Sequence, residues 1–378
     1  MTDKIHVVRA RDADCRSRPE VAKGPCAAVL VMHRAPYRDP VLDRLKKLGS
    51  VDLFSIYPND RGHDWAGFKN DVPVLAGRGR VVRLLKMFVF SRRYSVVVWP
   101  AYHPWWLTLP IVMSACLGRR YGLMSDTKEE NGGRLSRWIK RIVFRHAAFI
   151  WVPGEASSRF LAQHYGVPPD RVVRGLYVVD PQEVAGPSAR SPTALRNFLM
   201  VANDIPERRL NVLVAGFRRW RKGNERLVLC GHGCSRYAGE GVFGREGVKW
   251  EELPRLYEEA DVYVHNGMEQ FSTAVQIAAF RGMPVVCSGD IGIVADFAHA
   301  EKSMVVVRDW RSADAWQNAF ERLSMMTSDA LKGMCDRCRE ESRALYDLES
   351  IVANVSGCIM DLDTSAVGGA DVVGEMNC

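Results

Sequence analysis

One carboxylate, Glu269, stands in a sequence context that suits ligand binding. It follows the β-branched and aromatic residues 262–264, which predict a buried strand. Residues 274–280 then predict a helix that stops at Gly282, and 284–286 begin another strand. In such a unit, ligands lie beyond the carboxyl end of the first strand, near the helix N-terminus. Glu269 is therefore either a candidate ligand for sugar or ribose hydroxyls or an ordinary acidic residue favoured by the helix dipole.

Strand and helix patterns alternate along the chain in two series, which are separated by a segment rich in Pro, Gly, Ser and Ala. The patterns predict a strand over 303–307 and helices that include 155–165, 210–220, 313–327 and 351–362. This alternation predicts an α/β protein with two Rossmann-like domains facing a cleft. We expect the C-terminal helix to pack back on the N-terminal domain. The predicted divisions are a flexible leader (1–25), an N-terminal domain (26–180), a linker (181–196), a C-terminal domain (197–345) and a terminal helix with a frayed tail (346–378).

The composition is that of a globular protein, with 47% hydrophobic and 25% charged residues among 378. The formal charge of +8 favours an anionic partner, such as a nucleotide, a phospholipid surface or a nucleic acid. The ten cysteines show no disulfide-like spacing. Cys335 and Cys338 have no second pair or nearby His, so the sequence disfavours a metal or redox role for them.

The order of short motifs between residues 197 and 300 resembles the donor-binding domain of retaining glycosyltransferases. These are group-1 or family-4-like enzymes with the two-domain GT-B fold. The N-terminal half resembles the acceptor domain of the same family more loosely, through 125–126, 152–154, 165–168 and 179–180. The matching segments of the C-terminal half are 198–201, 206–209, 228–233, 242–244, 252–257, 260–264, 269–271 and 279–286.

The resemblance implies a role for each matching residue of the donor side. The family carries two glutamates with seven residues between them; Glu269 matches the first, which contacts the donor sugar. We assign Gln276 to the second, where its amide could still bond a ribose hydroxyl. The diphosphate-binding Arg and Lys of the family fall at Asn203 and Arg208, so one of the two cations is retained.

Backbone groups complete the predicted donor site. By resemblance, the N–H groups of Ser272 and Thr273, which follow Phe271, meet the distal phosphate at a helix N-terminus. Gly231 and Gly233 lack a Cβ atom and so permit close approach of a phosphate or base. The family needs no divalent metal, so we expect none, and we expect no cofactor beyond the nucleotide-sugar substrate.

Candidate acceptor residues lie in the N-terminal half. His103 and Asp126 follow successive predicted strands and should face the cleft, where they are our further catalytic candidates. Tyr102 sits beside His103 and could stack on a sugar, while Arg34 and Arg38 could bind an acceptor phosphate. The alternatives are a half-buried structural histidine, a helix cap at Asp126 and ordinary surface charges.

Two basic helical segments, 78–93 and 134–145, indicate possible contact with an anionic membrane surface, although a solvated helix face is the alternative. Nucleic acid is disfavoured because no binding module is present. The N-terminus lacks an apolar signal core, and no uninterrupted apolar run reaches the roughly 20 residues of a spanning helix. We therefore expect a cytoplasmic protein that can lie peripherally at the inner face of a membrane.

The resemblance implies a retaining glycosyltransferase that moves a sugar from a nucleotide-diphosphate sugar to a glycan or lipid-linked acceptor, in surface polysaccharide or glycolipid synthesis. Two alternatives remain open, because a fold does not fix a function. One is a nucleotide-sugar epimerase or phosphorylase on the same fold. The other is a non-catalytic sugar-nucleotide-binding homologue, which is suggested by Gln276 and Asn203.

Overall fold

The computed structural model describes residues 27–32, 35, 38–49, 51–57, 72–75, 79–100, 105–129, 132–184 and 195–367. The predicted leader, most of the predicted linker and the last residues of the tail lie outside these ranges. Among the helices that the model describes, none combines the length and the apolar composition that a transmembrane span requires.

The first half forms a six-stranded parallel sheet with the order β2-β1-β3-β4-β5-β6. Every residue of the interior strand β1 is buried, as expected where helices cover both faces of a parallel sheet. Val29 of β1 pairs with Leu53 on one side and Val98 on the other. The strands are β1 (Ala27–Val31), β2 (Val51–Ser55), β3 (Val96–Trp99), β4 (Tyr121–Met124), β5 (Phe149–Val152) and β6 (Val172–Arg174).

The second half forms another six-stranded parallel sheet, with the order β12-β11-β10-β7-β8-β9. In chain order, the first strand of this sheet, β7, lies beside the fourth, β10. The strand order therefore reverses between β7 and β10, and ligands of such sheets bind at this reversal. The strands are β7 (Asn197–Val201), β8 (Arg226–Cys230), β9 (Val242–Arg245), β10 (Val262–His265), β11 (Val285–Ser288) and β12 (Val305–Val307).

Helices cover both faces of each sheet. The N-terminal half contains α1 (Asp39–Lys47), α2 (Arg80–Arg93), α3 (Trp105–Cys116), α4 (Arg134–His146), α5 (Glu155–Tyr165) and α6 (Pro181–Val184). The rest of the chain contributes α7 (Leu210–Trp220), α8 (Leu253–Glu259), α9 (Thr273–Phe280), α10 (Ala300–Ser303), α11 (Ala313–Ser324), α12 (Ser328–Leu345) and α13 (Leu348–Val367).

The C-terminal helix α13 packs back on the first half, as the sequence predicts, and contacts α1, β3 and β6. Glu349 of α13 pairs with Arg44 of α1 at 2.9 Å. Ile351 packs closely on Gly175. A Cβ atom added at Gly175 would lie 2.6 Å from Ile351 Cδ1. One apolar cluster includes α1 and α13 together with α8 and α9, so it joins the two halves.

Most predicted elements are confirmed, and their differences from the structure have local causes. The predicted helix over 313–327 ends at Ser324, because Thr327 caps a separate helix by accepting a hydrogen bond from Ala330 N. The strand predicted over 303–307 begins only at Val305, after the short helix α10. The final helix, predicted over 351–362, extends to residues 348–367.

Candidate active site

Two charged side chains meet where the strand order of the second sheet reverses. Arg208 lies in the short turn that follows β7, and Glu269 lies in the loop that follows β10. Arg208 Nη2 donates a hydrogen bond to Glu269 Oε1 at 3.0 Å, so the two loops are joined at this point. Arg208 Nη1 also donates to the carbonyl of Asn203 at 3.3 Å. The structure thus brings together three of the predicted donor residues.

A histidine that is not among the predicted site residues holds the other oxygen of Glu269. His265 Nε2 lies 2.7 Å from Glu269 Oε2, and His265 Nδ1 lies 3.0 Å from the hydroxyl of Tyr263. A carboxylate only accepts hydrogen bonds, so Nε2 is assigned as the donor. The His265 side chain is 2% exposed and is held among buried rings, including Tyr257 stacked on Tyr263. This packing fixes the orientation of the carboxylate.

The charges around Glu269 keep it ionised. Burial by itself would raise the pKa of Glu269, but the coulombic and hydrogen-bond contributions of His265 and Arg208 outweigh it and lower the pKa. About a quarter of the side chain, 24%, remains exposed. An ionised carboxylate with free lone pairs can accept hydrogen bonds from ligand hydroxyls, and it is a weak base.

Lys128 reaches this loop from the first half of the molecule. It follows β4, and its ammonium group donates to the carbonyls of Glu269 and Asp290, both at 2.5 Å. Burial is the main cause that lowers the pKa of Lys128, against the raising effect of nearby carboxylates. Lys128 is not among the residues predicted from the sequence, although it lies only two positions beyond the candidate Asp126.

Backbone geometry explains why glycine stands at the predicted positions 231 and 233. Gly231 has φ 156°, and a Cβ there would lie 2.2 Å from the carbonyl oxygen of Ala202. Gly233 has φ 78°, a conformation that side-chain-bearing residues rarely adopt. Between them, His232 N donates to Asn203 Oδ1 at 2.9 Å. Phosphate or base binding at either glycine stays a prediction.

The N-terminus of α9 is shaped by capping and packing. Ser272 is buried, and its hydroxyl oxygen accepts a hydrogen bond from Val275 N at 3.4 Å, which makes it the helix cap. Phe271 is also buried, with ring contacts to Tyr177 and Tyr346. Thr273 is the first residue of the helix. The predicted phosphate contacts of Ser272 and Thr273 stay predictions.

The assignment of Gln276 to the second family glutamate is wrong by one position. Because seven residues (270–276) lie between the two family glutamates, the second glutamate falls at residue 277, which is the buried Ile277. Gln276 is itself fully buried, and its Oε1 accepts a hydrogen bond from Val179 N at 3.0 Å. Its amide nitrogen donates to the carbonyl of Tyr177 at 3.4 Å. Gln276 therefore joins the second half to the segment after β6.

Two of the predicted acceptor-side residues, Asp126 and Arg38, fall within the residues that the structure describes. Asp126 is exposed after β4, and its Oδ2 accepts a hydrogen bond from the Tyr177 hydroxyl at 3.1 Å. Arg38 is 6% exposed at the start of α1, so it is not an ordinary surface charge. Three other candidates, namely Arg34, Tyr102 and His103, lie outside the described residues.

The two selected cysteines belong to the core. Cys335 and Cys338 lie buried on α12, and burial raises the pKa of Cys335 to about 12. Within the described ranges, no group of three or more His, Cys, Asp or Glu residues is positioned to hold a metal ion.

Solved structures resemble the whole described architecture. A glycosyltransferase from Rickettsia africae superposes with a TM-score of 0.70 at 12% identity, covering 90% of this chain and 99% of that one. HepE from Anabaena, solved in complex with UDP, gives 0.68 at 12% identity over 89% and 99%. The UDP-GlcNAc 2-epimerase of Neisseria meningitidis is also similar, with 0.54 at 12% identity over 85% and 98%. No protein-family model matches the sequence, and no curated protein matches it.

These likenesses, together with two parallel six-stranded sheets flanked by helices, show that the chain has the GT-B fold. The fold class predicted from the sequence is therefore confirmed. At 12% identity the comparisons concern the fold alone, so the activity must be argued from the site.

Proposed function

We propose that the protein is a glycosyltransferase that uses a nucleotide-diphosphate sugar. The observation that carries the proposal is the ionised Glu269, held between Arg208 and His265 at the strand-order reversal of a GT-B fold. A fixed carboxylate suits the hydroxyls of a donor sugar, and an adjacent guanidinium suits its diphosphate. Each terminal nitrogen of Arg208 keeps one N–H donor beyond those bonded to Glu269 and Asn203.

A uridine nucleotide is the first donor to test. HepE from Anabaena has been solved with UDP, with UDP and glucose, and with UDP-glucose. Its fold matches most of this chain, which supports a nucleotide sugar as the donor here.

The proposed reaction is transfer with retention of configuration and without a divalent metal. The bond between the anomeric carbon and the diphosphate oxygen breaks, and a bond from that carbon to the acceptor oxygen forms on the same face. The acceptor proton passes to the leaving phosphate, so no strong enzymic base is needed. Arg208 and the backbone N–H groups at the start of α9 offset the charge that develops on the leaving group.

The proposed acceptor is a glycan or a lipid-linked saccharide, bound on the side of the first half. Asp126 is exposed there and contacts Tyr177, which in turn contacts Phe271 beside Glu269. The predicted partners of the acceptor are Arg34, Arg38, Tyr102 and His103.

The test is a panel of nucleotide sugars incubated with the protein and a lipid and glycan extract, with free nucleoside diphosphate and labelled acceptor as readouts. Release of diphosphate together with a glycosylated acceptor supports the proposal. Glu269→Ala should lower transfer by about 10²–10³-fold, the size of effect seen when one stabilising group is removed from an active site. Glu340→Ala is the matched control, because Glu340 is exposed on α12.

Two outcomes would contradict the proposal. An isomerised donor, formed without an acceptor, would indicate an epimerase, the activity named for the Neisseria structure. Nucleotide-sugar binding that raises the melting temperature but gives no turnover would indicate a non-catalytic homologue. Equal transfer activities for Glu269→Ala and the wild type would show that Glu269 is not part of the active site.

A further inference from the structure

Three neighbouring helices of the first half leave large apolar side chains in solvent. Helix α3 packs against α2 on one side and α4 on the other. We call their outer surface the α2–α4 face. Its exposed apolar residues are Val81, Val82, Leu85, Val89, Trp105, Leu109, Met113, Leu117, Leu135 and Trp138.

These residues form stripes rather than isolated positions. Trp105, Leu109 and Met113 of α3 and Leu117, the residue just after it, recur at intervals of four, which places them along one side of the helix. Val89 on α2 is 71% exposed. The opposite sides of the same helices face the core. A helix at a water-facing surface is normally polar on its outer side, so contiguous apolar exposure indicates an interaction surface.

The same region carries the basic excess of the protein. Residues 72–125 and 131–154 contain no Asp or Glu, although the chain has 44 of them. Thirteen of the 52 Lys and Arg lie in these two segments, so the remaining residues have more acids than bases. The exposed basic residues that surround the apolar stripes are Arg80, Lys86, Arg92, Arg93, Arg119, Arg120, Arg134, Arg137, Arg141 and Arg145.

We propose that the α2–α4 face docks on an anionic lipid bilayer. The apolar stripes would enter the boundary between headgroups and acyl chains, and the surrounding Lys and Arg would meet lipid phosphates. Trp105 and Trp138 suit this boundary, because Trp prefers the membrane–water interface. A second copy of the chain is disfavoured as the occupant, because two acid-free basic surfaces would repel each other.

The position of the face suits a membrane-bound acceptor. The first turns of α2, α3 and α4 lie at the carboxyl edge of the first sheet, and Lys128 on that edge reaches the Glu269 loop. Val81, Trp105 and Leu135 belong to those first turns. Docking would therefore bring the proposed site close to the bilayer. This consequence rests on the proposed function, whereas docking itself does not.

The test is flotation of the full chain with vesicles of phosphatidylcholine, with or without about one-third phosphatidylglycerol. The protein should bind the anionic vesicles, and binding should weaken as salt is raised. The variant that combines Arg134→Gln, Arg137→Gln, Arg141→Gln and Arg145→Gln should bind about 600-fold less tightly, because each of the four basic residues contributes about fivefold near the surface. Its control combines Arg255→Gln, Arg308→Gln, Arg322→Gln and Arg337→Gln, all exposed in the second half.

An apolar variant tests the other half of the proposal. Leu85→Ser, Val89→Ser and Leu117→Ser together should also weaken binding, whereas Phe243→Ser, Met325→Ser and Met360→Ser should leave it unchanged. All six residues are exposed, so each variant should retain its circular dichroism spectrum and melting temperature.

Three results would overturn the proposal. The first is no binding to anionic vesicles at low salt, and the second is equal loss of binding in the test and control variants. The third is a dimer in sedimentation velocity that the apolar variant converts to a monomer without any change in vesicle binding. That result would make the face an interface between copies of the chain. None of these measurements depends on glycosyl transfer, so docking and the proposed function can fail separately.

Discussion

The outer helices of the two sheets differ in how far their apolar side chains are buried. In the second half, α7 packs on α11, and Phe217, Trp220 and Phe320 surround Phe198 of β7, with ring centroids 5.3–5.5 Å from it. In the first half, the α2–α4 face leaves comparable side chains in solvent. Both halves are parallel sheets covered by helices. The difference therefore lies in what the helices face, because α7 and α11 cover each other whereas the α2–α4 face meets solvent.

The largest effect should come from breaking the buried layer. Phe217 is fully buried and Val89 is 71% exposed. Phe217→Ala should lower the free energy of unfolding by about 3–5 kcal/mol, because it removes contacts and leaves a cavity. Val89→Ala should change it by less than about 0.5 kcal/mol. Urea denaturation followed by circular dichroism measures both, and a similar cost for the two variants would mean that the α2–α4 face is covered within the folded chain.

At the border between the halves an ionisable group is buried, in contrast to the exposed basic residues of the α2–α4 face. Asp296 of the second half accepts hydrogen bonds from the N–H of Glu155 in the first half and from the Tyr346 hydroxyl. Burial raises the pKa of Asp296 to about 6. The pKa of an aspartate in the unfolded chain is lower, about 3.9. Protonated Asp296 therefore contributes its full stabilisation of the folded state below about pH 3.9, and this contribution is lost as the pH rises through about 6.

Asp296→Asn should remove this pH dependence. The wild type should lose up to about 3 kcal/mol relative to the variant between pH 4 and pH 7. The measurement is the free energy of unfolding of both proteins at several pH values in that interval. A difference that stays constant with pH would show that Asp296 does not titrate in this range.

The smallest of these effects should come from the cation that links the halves beside the site. Lys128→Ala removes two charge-assisted hydrogen bonds to the carbonyls of Glu269 and Asp290. We expect kcat/KM for transfer to fall by about tenfold, because the Glu269 loop loses one of its supports. Lys332→Ala is the control, since Lys332 is exposed on α12. An unchanged kcat/KM would show that the remaining contacts hold the loop.

Much of the fold could be predicted from local pattern. The bounds of α5 and α7 agree with the predicted ranges 155–165 and 210–220. Gly166 ends α5 in the left-handed conformation that such a stop requires. The apolar pattern of α4 was less informative. Leu135 and Trp138 share a stripe with Ile139 and Ile142, yet the first two are 70% and 60% exposed.

The candidate site was predicted only in part. Glu269 and Arg208 were selected from the order of motifs, and they are in contact. His265 lies at the end of an apolar strand, and nothing in its local sequence indicates that its imidazole bonds to Glu269. Lys128 is 141 residues from Glu269, and nothing in either local sequence indicates that they meet. Gln276 was assigned from an incorrect spacing, and its partners come from the first half.

Local sequence is enough to predict the alternation of buried strands and amphipathic helices, and hence two Rossmann-like domains with Glu269 beyond the carboxyl end of a strand. These features depend on residues within one element and its immediate neighbours. Long-range packing brings Arg208 and His265 to Glu269 and keeps it ionised, and it places Lys128 where it joins the halves beside that carboxylate. The same packing leaves the apolar stripes of α2–α4 outside the core. Ionisation, pairing and exposure depend on which distant segments pack together, and a local pattern does not contain that information.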